Sequence, residues 1–137
     1  MQNSLVQFAD DAVKEAVKAG ADQADIYIQS GRESEVTFRM GEIENIKEAR
    51  SQGYGLRVFK NMKLGFCFSS DFSKSGMRDS AERAVSLAGE ASADEFNGLP
   101  RIENVKAHSD LDLFDREIAD ISTEWKIDAC RRMEQAM

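Results

Sequence analysis

The chain has 137 residues, enough for one domain with a proper core and too few for two of ordinary size. Apolar residues make up 42% and charged residues 31%, with one proline, Pro100, and no low-complexity tract, which argues against wholesale disorder. Against 18 lysines and arginines stand 25 aspartates and glutamates; the net charge of −7 disfavours a broad basic face for nucleic acid.

The opening residues lack a basic segment followed by an apolar core, so they do not read as a signal peptide. No stretch is apolar enough to span a bilayer, and a cytoplasmic protein is the expectation. Residues 3–19 carry Leu5, Ala9, Ala12, Val13, Ala16 and Val17 at helical spacing, with Gly20 placed to end the helix. Residues 24–30 alternate as a strand, Ile26 and Ile28 on one side and Asp25, Tyr27 and Gln29 on the other. Gly31-Arg32 reads as a turn into a second strand, 34–40, with Val36, Phe38 and Met40 inward.

Gly41-Glu42 turns the chain into a third strand, about 43–51. There Ile43 and Ile46 break the two-residue period, as a bulge or a sheet edge does. Gly53-Tyr54-Gly55 leads into a fourth strand, Leu56 to Phe59, and Asn61-Met62 turns into a fifth, Leu64 to Ser69, with Leu64, Phe66 and Phe68 on one face. Ser73 caps a helix over about 74–91 with the stripe Met77, Ala81, Ala84, Val85 and Ala88. The expected fold is α+β: a two-layer sandwich of an antiparallel meander of about five strands, two helices on one face, and a C-terminal helix after a long loop.

Residues 1–91 form the expected sandwich core and 92–121 an extended connection of unusual length. Ser122 caps a final helix over 122–137, with Trp125, Ala129 and Met133 on one stripe, leading to a downstream domain. The pattern runs to Met137 without a helix-stop signal, so the expectation is an N-terminal part of a longer protein.

No catalytic, cofactor-binding or metal-binding residue is assigned. His108 is the sole histidine, in a polar stretch, where a solvated side chain outweighs a zinc ligand. Asp110, Asp112 and Asp115 cluster acidic groups, but the glycine and distal glutamate of a calcium loop are missing, and the intervening Leu111, Leu113 and Phe114 favour docking. The glycines 53, 55 and 65 precede no helix as a phosphate loop requires; close packing explains them better. Glu42, Glu44 and Glu48 with Lys47 and Arg50 read as a charged edge strand rather than an acid/base pair. Cys67 and Cys130 have no metal or redox spacing; Cys67, between two phenylalanines, packs as a small hydrophobe.

The segments G-E-I-E-N-I, G-Y-G-L-R-V-F and G-F-C-F-S-S-D-F-S, followed by a helix, resemble the opening domain of the TldD/PmbA family, some of whose members are named modulators of DNA gyrase. The later D-L-D-L-F-D is closer to the PmbA (TldE) branch. The resemblance covers about residues 22–137. It implies a protein much longer than this chain, pairing of TldD-like with TldE-like subunits, and cleavage of extended or unfolded peptides, including peptide-antibiotic precursors. It places a zinc site, on an H-E-x-x-x-H helix, in a later region of the TldD-like subunit. None of those ligands has a counterpart here, so this chain is expected to hold no cofactor and to be inactive alone.

The role left is contact, with Arg39, Arg57 and Trp125 as candidate interface or cavity-lining residues and a sheet edge open to strand addition. Two other readings stand beside it. One is a freestanding interaction or dimerisation module. The other is a regulatory protein linked indirectly to DNA gyrase, without direct contact to nucleic acid.

Overall fold

In the computed structural model the described residues are 2–100 and 115–136. They form α1 (Gln2–Lys18), β1 (Gln23–Arg39), β2 (Glu42–Lys60), β3 (Lys63–Ser69), α2 (Lys74–Glu90), α3 (Arg116–Asp120) and α4 (Thr123–Gln135). His108, Asp110 and Asp112 lie outside the described residues. The strands make one sheet in the order β1-β2-β3, with β3 antiparallel to β2 from Tyr54↔Ser69 to Lys60↔Lys63.

The α+β class and helices α1, α2 and α4 match the sequence reading, but α3 lies in the stretch expected to be extended and three strands replace the expected five. Gly31-Arg32 and Gly53-Tyr54-Gly55 do not turn: β1 and β2 run straight through them. The actual turns are Met40-Gly41 and Asn61-Met62, where both central residues take positive φ (52° and 83°; 50° and 59°). Two consecutive left-handed residues suit the right-handed twist of the strands they join. Only Gly20 and Gly41 among the described glycines have positive φ; of the strand glycines, Gly55 and Gly65 serve close packing. Met40, expected inward, sits at the turn and is 84% exposed.

The described residues fall into two compact units. One comprises the residues up to Gly31 and those from Ser51 to Pro100; the other comprises Arg32–Arg50 and residues 115–136. The first unit holds the core. Ala12 and Ala16 of α1, Leu56 and Val58 of β2, and Ala81, Ala84 and Ala88 of α2 are almost or fully buried. Small side chains let α2 lie directly on β3. A Cβ built on Gly65 would stand 2.0 Å from the Ala84 carbonyl oxygen and 2.7 Å from the Ala88 nitrogen.

That close approach decides which sheet face is covered. Strand alternation puts Leu56 and Val58 on the helix side together with their partners Cys67 and Gly65. Leu64, Phe66 and Phe68 do share a face, and it is the one turned away from the helices: they are 40%, 52% and 81% exposed.

The second unit is the outer ribbon of β1 and β2 with α3 and α4. Ser122 caps α4 by accepting from the Trp125 amide. The helix meets the ribbon through polar groups: Lys126 donates to the Ser34 hydroxyl, Glu134 accepts from the Gly41 amide, and Thr123 donates to Glu48. Arg131 stands over the Phe38 ring. No described residue of this unit is buried, and Ile118, Trp125 and Met133 are exposed.

Candidate functional site

On the uncovered sheet face of the first unit lies an open groove of about 790 Å³. Tyr27 of β1 and Phe66 and Phe68 of β3 form its aromatic walls, with Gly53 and Gly55 of β2 between them. Gly55 pairs with Phe68, and the Phe66 ring lies across Gly55: a Cβ there would meet Phe66 Cζ at 2.7 Å. Serines and glutamines complete the rim, among them Gln29, Ser51 and Ser69.

Beneath the groove, Tyr54 points the other way and fixes β2 to the helix layer. Its ring meets Phe8 and Phe72 at centroid distances of 5.1 and 5.2 Å. Its buried hydroxyl shares a 2.9 Å hydrogen bond with Ser80 Oγ and reaches the carbonyls of Asp71 and Gly76. A buried hydroxyl with several partners is costly to displace, so the strand behind the groove is held firmly. Asp71 ends the same network. Its carboxylate accepts from the Ser73 amide, which, with the Ser73 side chain, holds its pKa below the ordinary value.

Of the three candidate contact residues, Arg57 lies on the groove face, paired in bidentate fashion with Asp25 at 2.8 and 2.5 Å. That hydrogen bond raises its pKa, and its guanidinium stands 5.5 Å from the Phe59 ring centroid. Arg39 and Trp125 belong to the second unit. Arg39 is far from buried and only 3.9 Å from Glu44 at its nearest approach; Trp125 is 56% exposed on α4. Sequence reasoning put Leu64, Phe66 and Phe68 on one face but did not say whether helices cover that face, and so missed the groove. The available signal was Gly65, between Leu64 and Phe66: only one strand face can meet a helix at a glycine.

Among the described residues no three His, Cys, Asp or Glu side chains are grouped to hold a metal ion. Asp115 caps α3, accepting from the Glu117 amide at 2.8 Å. Cys67 and Cys130 are free thiols. Among the described residues no helix is long and apolar enough to cross a membrane. The arrangement presents contact surface: an uncharged aromatic groove on a sheet backed by two tightly packed helices.

An α+β domain of this topology has close relatives. The family domain described as "PmbA/TldA metallopeptidase domain 1" matches residues 24–88. A metalloprotease PmbA homolog of Haemophilus influenzae is 29% identical over 136 residues, covering 98% of this chain and 30% of the relative. Metalloprotease PmbA of Escherichia coli O157:H7 is 26% identical with the same coverage.

Two solved structures share the fold at 18% identity. A putative modulator of DNA gyrase from Bacteroides thetaiotaomicron has a TM-score of 0.79, over 89% of this chain and 28% of that one. TldE from Thermococcus kodakarensis has a TM-score of 0.64, over 74% and 23%. Residues 24–88 are similar to the first domain of PmbA/TldD-type metallopeptidases. The chain spans about 30% of the length of the first two curated relatives.

Proposed function

We propose that this chain is a non-catalytic domain of a PmbA/TldD-type metallopeptidase that acts in the cytoplasm on extended or unfolded peptides, peptide-antibiotic precursors among them. In this reading it works with a TldD-like or TldE-like subunit, and the zinc that performs the chemistry is bound elsewhere in the assembly. The observation that carries the reading is the uncovered aromatic sheet face, with Phe68 81% exposed on the side turned away from the helices. Exposed apolar surface of this kind marks a contact site, and the names of the relatives supply the peptidase context.

The test uses the complete assembly. Phe66→Glu is expected to slow turnover of an unfolded peptide about tenfold while zinc content stays unchanged. Arg39→Glu and Arg57→Glu report on subunit assembly. Unaltered turnover and unaltered assembly in all three variants would reject the proposal.

The exposed Ile118, Trp125 and Met133 favour a second reading, a freestanding interaction module, which self-association of this chain through α4 would support. For a gyrase-linked regulator, the net charge of −7 favours an indirect effect over contact with DNA.

A further inference from the structure

We infer that the groove on the open sheet face is a slot for one uncharged, apolar side chain, aliphatic or aromatic, of an extended peptide. The inference rests on the peptide-handling reading above and names what that site selects. Its walls are ring surfaces: Tyr27, Phe66 and Phe68 are 70%, 52% and 81% exposed. Its floor is the β2 backbone at Gly53, which presents no side chain, so an incoming group reaches down to the sheet beside the Phe66 ring. Glycine at 55 also leaves the space that the Phe66 ring needs to lie across the strand.

Charge completes the argument. No residue lining the groove is Asp, Glu, Lys or Arg, in a chain where these make up 31%. The Arg57–Asp25 pair on the same face is closed on itself. A carboxylate entering the groove loses water and finds no counter-charge. A lysine gains only the weak attraction of exposed rings, which burial of an aliphatic or aromatic side chain exceeds. Uncharged hydroxyl and amide groups on the rim, such as Gln29 and Ser51, suit the amides of a peptide backbone.

The test titrates the chain, followed by NMR, with short blocked peptides that differ only in a central Ser, Leu, Phe, Lys or Asp. The Leu and Phe peptides are expected to bind about tenfold more tightly than the Ser peptide, and to shift the Gly53 and Gly55 amides. The preference is expected to vanish in Phe68→Ser and in Gly53→Val. Phe68 is so exposed that its replacement leaves the fold intact, which circular dichroism checks. Leu64→Ser, on the same face and outside the groove, is expected to keep the preference.

Equal binding of all the peptides overturns the slot and leaves the peptide-handling reading standing. Tightest binding of the Lys peptide overturns the uncharged assignment. Binding of none overturns both. Groove shifts that grow with protein concentration alone identify a second copy as the occupant and overturn the slot as well.

Discussion

Gly65 is the residue on which the first unit's layering depends. The Cβ absent there would stand 2.0 Å from the Ala84 carbonyl oxygen and 2.7 Å from the Ala88 amide nitrogen, and both are backbone atoms of a helix. No rotamer change relieves such a contact; α2 has to move off β3, and the buried alanines of α2 lose their packing with it. Gly65→Ala is therefore expected to destabilise the chain by about 3 kcal/mol, the upper part of the usual range for overpacking. Gly89, in the same helix, has nothing within 4 Å of its own Cβ site. Gly89→Ala replaces the poorer helix former and is expected to stabilise by about 0.5–1 kcal/mol. Urea unfolding of both variants checks the pair. Equal, small effects would show that α2 and β3 are free to separate.

At the scale of elements, the turns carry a strain that the sequence advertises poorly. Asn61 and Met62 both take left-handed φ, 50° and 59°. Asn tolerates that region, but for Met it costs about 1–2 kcal/mol. Gly at 62 removes that strain and adds an unfolded-state entropy loss of about 0.5–1 kcal/mol, so the strain wins. Met62 is exposed, and its carbonyl accepts from the Asp94 amide and the Asn97 side chain. Met62→Gly is expected to raise stability by about 0.5–1 kcal/mol in thermal unfolding, and a fall would place the strain elsewhere.

The same turns explain what was legible beforehand. Helices α1, α2 and α4 follow from apolar stripes, from the caps Ser73 and Ser122, and from Gly20. Strand number did not follow, because a glycine in a strand pattern signals either a turn or a close approach. The sequence does not say whether its φ is positive. At Gly41 it is; at Gly31, Gly53 and Gly55 it is not. The groove was hidden for the same reason, since Gly53 at its floor and Gly55 under the Phe66 ring were read as strand entry.

For the whole molecule, the two units differ in what holds them. The first has an apolar core whose largest fully buried side chains are Leu56 and Val58. The second, among its described residues, has none buried. It relies on exposed pairs such as Arg32–Glu48 and Lys47–Glu33 and on the polar contacts of α4. Each exposed ion pair contributes about 0–1 kcal/mol, less as salt rises, whereas a large apolar side chain sealed in the first unit, Leu56 or Val58, contributes about 1.5–3 kcal/mol. Stability is then expected to be unevenly spread, with α4 opening without the rest. In native-state hydrogen exchange, amides of α4 are expected to exchange at least about tenfold faster than those of α2, a gap of about 1.4 kcal/mol or more. Half-molar salt is expected to widen that gap by screening the ribbon's charges, because α2 rests on contacts that salt does not weaken. Matching protection in the two helices, at low and high salt alike, would mean that the ribbon and α4 are held by apolar packing after all.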